Sequence, residues 1–368
     1  MNNKITEIYK VLLSDIAQGK IVPGQTFPKE TELAEKFETN RMNAYRAMKE
    51  LEKNGFLVRR KKAGSFLKEH IDKKKLHMLF NKFKRIIYLL CSAKPCGIHW
   101  NEASFRGLEE EVARENYTVI YRNIPNGETS NDLHAILDEA SDRGASALVI
   151  FPDVTDTEFL EDNSILLLNF MAPIFMLNRT GGDLHSDMVS YVSMDPFGDG
   201  IFVGSLLSNN NCRNVIMLNE HSERAYWGLK RYEGLKMGMK KNNPNGSFRL
   251  ENIIGTKYGV EKCVDMAKQL GQDTVVVPVN NEYAAWFIDS ASKKGLRIPE
   301  ECRVISFDDN PLFRSYNLTT MAPQTKEIGK VFGQMICGNS WINSHYGKIS
   351  VRIPQKLIIR DTFTPQKT

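Results

Sequence analysis

Residues 36–56 read KFETNRMNAYRAMKELEKNGF and decide how the first domain folds. Apolar residues recur there at helical spacing, at Ala44, Ala47, Met48 and Leu51. Asn40 is a good N-cap residue before this run, and Gly55 is a typical helix terminator after it. The first two turns nevertheless carry Asn, Arg, Asn, Tyr and Arg. Such a helix has either an ordinary solvated face or a face that lies against a polar, anionic partner.

The flanking sequence supplies the rest of a small domain. Residues 3–18 have a helical apolar stripe, and a second helix is predicted at 29–37, after the turn formed by Pro23 and Gly24. Residues 56–68, FLVRRKKAGSFLK, predict two short strands joined by a basic turn. Three helices followed by a basic hairpin are the order of a winged helix-turn-helix. The third helix would then present its N-terminal N–H groups to phosphate and its first side chains to the major groove.

The charge distribution supports a nucleic-acid partner for this segment. Residues 1–84 carry 19 basic and 10 acidic side chains, whereas residues 85–368 carry 30 basic and 34 acidic ones. A short basic segment on a mildly acidic body favours a DNA-binding arm attached to a domain with another task. A basic head that is merely soluble remains the alternative.

Several protein classes are disfavoured by composition. No apolar run approaches the ~20 residues of a membrane span, and the polar N-terminus does not resemble a signal peptide, so we expect a cytoplasmic protein. The six cysteines form no C-x-x-C pair and no zinc-ligand spacing with histidine. We therefore predict reduced thiols, no metal and no cofactor. The chain also lacks a P-loop, an H-E-x-x-H motif and a G-x-S-x-G motif, so we expect no enzyme activity.

The first domain resembles the DNA-binding head of the GntR family over residues 4–68. The family pattern P-G-x-x-L-P-S-E-R-E-L-A is matched by PG and FPKETELA, and S-R-x-T-V-R-x-A by NRMNAYRA. LEKNGFLV and RRKKAGSFL match the two motifs that follow, in the family's order. The resemblance implies DNA contacts for Thr31, Asn40, Arg41, Asn43, Tyr45, Arg46, Lys61, Lys62 and Gly64. Thr31 and Tyr45 stand where the family often has Arg, so its base preference is not carried over.

We predict three parts in the chain: a winged helix-turn-helix at 1–69, a linker at 70–84 and a large domain at 85–368. The linker alternates lysines with apolar residues, which suits a hinge or a short amphipathic helix. A membrane-surface helix is the alternative that its composition allows.

The large domain is predicted to be an α/β structure. Short apolar strands such as SALVIF (146–151), NVIML (214–218) and RVISF (303–307) alternate with helical segments. This alternation predicts parallel sheets with helices on both faces, and the number of strands suggests two lobes. Such lobes bind ligands at the carboxyl ends of their strands. Arg, Asn and Asp side chains that can make paired hydrogen bonds, together with aromatic rings, follow several of these strands. Such side chains suit a small polyol such as a sugar.

Residues 85–345 resemble the LacI-type regulators, whose body shares its fold with periplasmic sugar-binding proteins. GLRIPEECRVISFDD (295–309) carries the most specific match, and MLNRTGG, LKRYEGLKMGM, VPVNNEYAAW and NLTTMAPQTKEIGKVFGQMI follow other family motifs. The resemblance and the strand-end positions together predict effector contacts by Ser92, Trp100, Asn101, Asp153, Arg179, Arg231, Tyr258, Asn280, Asp308 and Gln324.

The two resemblances together imply a homodimeric transcription regulator of the arabinose-repressor type. We expect a repressor that leaves its double-stranded operator DNA when a monosaccharide binds, with a pentose or deoxyhexose favoured as effector. A ligand-dependent activator and a constitutive DNA-binding dimer remain open.

Overall fold

The computed structural model describes residues 3–60, 63–92, 98–124, 130–151, 163–178, 189–220, 226–242, 247–338 and 349–366. The head contains three helices, α1 (Asn3–Ala17), α2 (Glu30–Lys36) and α3 (Arg41–Lys53). Two antiparallel strands, β1 (Leu57–Arg60) and β2 (Gly64–Leu67), form the wing. The predicted apolar stripes are buried in one core, in which α1 and α3 pack together. The expected order of elements is therefore present.

The predicted linker contains a helix, α4 (Lys73–Asn81), that contacts two domains. Leu76 and Leu79 are buried in the core of the head, beside α1. Met78, on a different face of the same helix, packs against the core of the next lobe. The hydroxyl of Ser146 in that lobe donates to the Asn81 carbonyl at 2.6 Å. Residues 73–81 thus hold the head against the body.

The first lobe is a six-stranded parallel sheet covered by helices. Its strands are β3 (Ile86–Ser92), β4 (Thr118–Ile124), β5 (Ala147–Phe151), β6 (Ile174–Asn178), β7 (Val189–Met194) and β13 (Ser350–Ile353). They are ordered β13-β7-β6-β5-β3-β4. The helices of its connections are α5 (Ile98–Ala113), α6 (Ser130–Asp142) and α7 (Ser164–Asn169). All five residues of β5 are buried, as expected for a strand covered on both faces.

The second lobe repeats this architecture. Its strands are β8 (Asn214–Asn219), β9 (Arg249–Ile254), β10 (Thr274–Pro278), β11 (Arg303–Phe307), β12 (Thr319–Ala322) and β14 (Lys356–Ile358), in the order β14-β12-β11-β10-β8-β9. Only β14 pairs antiparallel among these described strands. The helices α8 (Pro196–Asn209), α9 (Tyr226–Asn242), α10 (Lys257–Leu270) and α11 (Asn281–Lys293) belong to this lobe, and α12 (Thr325–Cys337) packs against α5 in the first.

The described chain crosses between the lobes three times. The first crossing joins β7 to α8, the second joins β12 to α12, and the third joins β13 to β14. The third crossing contains Pro354 and Gln355, and the side-chain amide of Gln324 in the second donates to the Pro354 carbonyl at 2.9 Å. The second and third crossings are therefore bonded to each other, as expected for the hinge of a two-lobed domain.

Glycines allow α8 and α9 to pack with their backbones in close approach. A Cβ atom added to Gly234 in α9 would lie 2.1 Å from the Phe197 carbonyl oxygen of α8. A Cβ atom on Gly200 in α8 would lie 2.4 Å from the Arg231 carbonyl oxygen of α9. No larger side chain fits at these two positions without displacing a helix. The contact therefore fixes the position of the Arg231 backbone relative to α8.

Candidate functional site

The N-terminal end of α3 forms the first candidate surface. The side chain of Asn40 accepts from the backbone N–H of Asn43 at 2.9 Å, which is an N-cap. The amide of Asn43 is buried and donates to the Thr39 hydroxyl at 2.8 Å. Asn40 remains exposed, whereas Asn43 fixes the helix end from inside. The predicted contact of Asn43 with phosphate or base stays a prediction, and in this structure its side chain stabilises the N-terminal end of α3.

Arg41, one of the cations predicted to contact DNA, is exposed and forms an ion pair with Glu30. Its Nε lies 3.3 Å from Glu30 Oε2, while Arg59 Nη1 of the wing lies 3.1 Å from Glu30 Oε1. The Arg41 side chain is 72% exposed. This contact orients Arg41. Because an exposed ion pair is weak, a phosphate can replace the Glu30 carboxylate at little cost in free energy. Arg59 also lies over the ring of Tyr45, with 4.8 Å between its guanidinium carbon and the ring centre.

A concave surface of about 500 Å³ separates α2, α3 and the wing. Thr31, Arg41 and Gly64 line it, so the structure brings these three predicted residues together. Gly64 has φ +105°, a left-handed conformation that lets the wing turn without a side chain. Arg46 is exposed on α3, whereas Lys61 and Lys62 lie outside the described residues.

The second candidate site lies at the carboxyl edge of the second lobe and is built around Arg231. Its side chain is 5% exposed. Nη1 donates to the Val279 carbonyl after β10 at 2.6 Å, and Nη2 lies 3.4 Å from Asp308 Oδ1 after β11. The guanidinium carbon lies 4.3 Å from the ring centre of Phe307, a cation–π distance. A buried guanidinium with these fixed partners is oriented before any ligand arrives.

The consecutive carboxylates Asp308 and Asp309 have different partners. Asp308 has φ +73°, an uncommon conformation for a residue with a side chain, and its carbonyl accepts from the Thr320 hydroxyl. Asp309 instead pairs with Arg360, with 2.8 Å between Oδ1 and Nη2. Local backbone strain of this kind occurs at ligand sites. Asp308 is therefore directed towards Arg231, whereas Asp309 ties the C-terminal segment to the sheet.

The other predicted cleft residues differ in their surroundings. Asn280 caps α11 by accepting from the Tyr283 N–H at 3.0 Å, and Gln324 is bonded within the hinge. Tyr258 is 79% exposed in the first turn of α10, which follows the edge strand β9. It makes no described hydrogen bond or ring contact with the residues around Arg231, so the structure does not group it with them.

Five predicted residues belong to the first lobe or the segments that follow its strands. Asp153 and Arg179 lie outside the described residues. Ser92 ends β3, and Trp100 and Asn101 lie in the first turn of α5, but the structure does not describe their side chains. Their proposed sugar contacts remain predictions.

The structure adds two carboxyl groups that sequence reasoning missed. Glu220 follows β8 at the same edge, and burial raises the pKa of its carboxyl although Arg231 opposes the shift. Asp199, in the first turn of α8, is 1% exposed. Burial raises its pKa to about 7, against the opposing hydrogen bond from the Gln355 N–H and the charge of Arg231, while Asp195 and Asp308 add to the rise. Glu220 could have been found as a strand-end residue, but Asp199 had no comparable signal.

No described helix is long and apolar enough to cross a membrane. No group of three histidine, cysteine or acidic side chains in the described part of the chain could hold a metal ion.

Comparison with known families matches both domains. Residues 4–67 match the family model described as bacterial regulatory proteins, gntR family. Residues 205–363 match a periplasmic binding protein-like domain. The expected combination of a GntR-type helix-turn-helix head with a two-lobed periplasmic-binding-protein-like body is therefore confirmed.

Individual relatives agree with this architecture. The chain is 21% identical over 351 residues to the arabinose metabolism transcriptional repressor of Geobacillus stearothermophilus, with 90% of each chain covered. It is 26% identical over 261 residues to the transcriptional repressor PurR of Vibrio vulnificus, covering 70% of this chain and 75% of that one. The structure of a LacI family transcriptional regulator from Enterococcus faecium with bound ribose superimposes with a TM-score of 0.53 at 20% identity, covering 76% of this chain and all of the other.

Proposed function

We propose that this GntR-type head on a periplasmic-binding-protein-like body is a DNA-binding transcription regulator controlled by a sugar. The chain acts as a repressor that holds an operator when its cleft is empty and leaves it when a monosaccharide binds. The observation that carries this proposal is α4, because one helix packs into the head through Leu76 and Leu79 and against the first lobe through Met78. A movement of that lobe must therefore displace the head.

The head supplies the DNA-binding chemistry. Exposed Arg41 and Arg46 lie in the first two turns of α3, where the helix dipole adds positive potential. The concave surface between α2, α3 and the wing has room for the edge of a nucleic-acid backbone. A second head on a twofold-related copy would contact the other half of a pseudo-palindromic operator.

The cleft supplies the effector chemistry. Arg231 of α9 provides donors and Asp308, which follows β11, provides acceptors. Such a pair suits neighbouring hydroxyl groups of a sugar. The relative named for arabinose metabolism and the neighbour with bound ribose support a pentose as the first choice. The expected release follows if the sugar binds the closed lobes more tightly than the open ones, since only differential affinity shifts such an equilibrium.

A second copy of the chain is the proposed partner of an apolar face on the second lobe. Leu312, in the 3-10 helix Pro311–Tyr316, is 82% exposed, and Trp286 on the adjacent helix α11 is 43% exposed. The two elements are joined by the hydrogen bonds of Tyr316 to Asp289. Exposed apolar side chains on two neighbouring elements suit an interface between subunits. Sedimentation equilibrium of the full chain is expected to give twice the monomer mass of 41.9 kDa.

The decisive experiment combines DNA selection with sugar binding. Double-stranded DNA that the full chain selects from a random library is expected to contain a pseudo-palindrome. Titration calorimetry with L-arabinose, D-ribose and D-glucose then identifies the effector, and that sugar is expected to release the selected DNA in a fluorescence anisotropy assay. A chain that binds DNA but no sugar would leave only the constitutive dimer, and tighter DNA binding with sugar would indicate an activator.

A further inference from the structure

Gln355 lies in the third lobe crossing, between β13 of the first lobe and β14 of the second. It is 7% exposed, which is unusual for a glutamine in a connecting segment. Its backbone N–H donates to Asp199 Oδ1 of α8 at 2.9 Å. The crossing strand is therefore bonded to the first turn of a helix that begins at another crossing.

The side chain of Gln355 faces the candidate effector site. In the amide orientation that satisfies both of its ends, its oxygen accepts from Arg231 Nη2 at 3.2 Å, and its nitrogen donates to the Met321 carbonyl at 3.0 Å. Met321 belongs to β12, which leads into the second crossing. One side chain thus connects the guanidinium at the cleft to two of the three crossings.

The surrounding charges make this contact sensitive to what the cleft contains. Arg231 Nη2 is shared between Asp308 Oδ1 and the Gln355 amide oxygen. Asp199 Oδ2 and Arg231 Nε are buried without a hydrogen-bond partner among the described residues. A buried polar atom without a partner costs free energy, so a lobe arrangement that satisfies these atoms is favoured over one that does not.

We propose that Gln355 is a positioning residue for the effector site, which anchors the Arg231 guanidinium to the lobe crossings and so couples an occupant of that site to lobe closure. This inference rests on the proposed sugar-binding function. It adds a residue that does not touch the ligand and assigns it control of the hinge. A ligand that pulls Arg231 towards Asp308 changes the Gln355 contact, and the change reaches the third crossing directly.

The test substitutes Gln355 in the full chain. Gln355→Leu removes both side-chain hydrogen bonds and keeps a buried side chain of similar size. Gln355→Glu retains an oxygen acceptor for Arg231 Nη2. Gln272→Leu, the same change at an exposed position, is the matched control. Calorimetry with L-arabinose and D-ribose measures affinity, and small-angle scattering with and without sugar measures lobe closure.

The Leu variant is expected to bind sugar about tenfold more weakly, the effect of one hydrogen bond to a charged group. Its sugar-induced decrease in radius of gyration is also expected to shrink. Gln355→Glu should restore affinity to within about threefold, because it keeps the acceptor. A residue that only stabilises the fold would lower the unfolding temperature without this rescue. A folded Leu variant with unaltered affinity and closure overturns the proposal.

A measurement without sugar separates this inference from the proposed function. Hydrogen exchange of peptides that cover the three crossings is expected to accelerate in Gln355→Leu and to stay unchanged in Gln272→Leu. If the wild-type chain binds neither sugar, sugar sensing fails, but the exchange result still decides whether Gln355 anchors the crossings. Equal exchange in both variants refutes the anchor. Gln355→Met, which also loses both hydrogen bonds, replaces the Leu variant if that variant does not fold.

Discussion

Asp199→Asn should make the second lobe less sensitive to pH. Asp199 is buried, and its pKa is raised from 3.8 to about 7, chiefly by burial. Because the folded state holds a proton that the unfolded state releases above about pH 4, the free energy of unfolding falls as pH rises from about 4 to about 7. Between these limits, about three pKa units correspond to about 4 kcal/mol, which is an upper bound for the penalty at pH 8.

The asparagine variant carries no charge at this position, and its side-chain oxygen can still accept from the Gln355 N–H. We therefore expect it to be more stable than the wild type by about 2–4 kcal/mol at pH 8. This difference in the free energy of unfolding should shrink by more than half as the pH falls from 8 to 5. Urea unfolding at pH 5, 6, 7 and 8, followed by tryptophan fluorescence, measures both effects. Asp142→Asn, an exposed change at the end of α6, serves as the control. Equal pH slopes in the wild type and the Asp199→Asn variant would refute the reasoning.

Three further substitutions test other parts of the structure. Arg41→Ala should weaken binding to the selected DNA by about 1–3 kcal/mol and reduce the slope of its salt dependence by about one, because a phosphate or base contact is lost. Its sugar affinity should not change. Lys53→Ala, at the far end of the same helix, is the control in anisotropy titrations. Arg231→Ala should lower sugar affinity by more than about tenfold in calorimetry, since it removes the guanidinium that pairs with Asp308. Arg249→Ala, on the edge strand β9, is the control and should leave the affinity unchanged. A normal sugar response by the Arg231 variant contradicts the site. Gly234→Ala should lower the free energy of unfolding by about 1–3 kcal/mol, because the added Cβ meets the Phe197 carbonyl oxygen where α8 and α9 pack together. Thermal unfolding measures this effect, and an unchanged unfolding temperature would show that the helices separate freely.

The head could be predicted closely from the sequence. The helix predicted between Asn40 and Gly55 is observed as Arg41–Lys53, and the predicted hairpin at 56–68 as the two strands of the wing. These elements form from local signals, because a helical stripe, an N-cap and a turn glycine are read within a few residues of each other. The burial of the Asn43 side chain was not predicted, since the hydroxyl of its partner Thr39 comes within hydrogen-bonding distance only once the cap has formed.

The body was predicted less completely. Most strands and helices of both lobes were predicted, but the short helix α7 and the strands β12, β13 and β14 were not. These three strands contain four, four and three residues, too few for a periodic pattern. Their conformation depends on partners from distant parts of the chain, as when β13 pairs with β7. Tertiary pairing, not local propensity, therefore selects them.

The candidate cleft divides in the same way. Arg231 and Asp308 were predicted from motifs and strand ends, and the structure places them 3.4 Å apart. Asp199 and Gln355 were not predicted, since nothing near either residue in the sequence distinguishes it. They are 156 positions apart and meet only where the chain crosses between the lobes.

The sequence by itself determined the two-part design, the basic head, the α/β body and the residue types at the strand ends. Periodicity, charge and turn chemistry act over short distances, so a linear sequence displays them. Only the tertiary structure decided that α4 joins the head to the first lobe and that Gln355 reaches Arg231 from a crossing strand. The physical reason is that burial and buried charge depend on every element packed around a side chain, and these elements come from all parts of the chain.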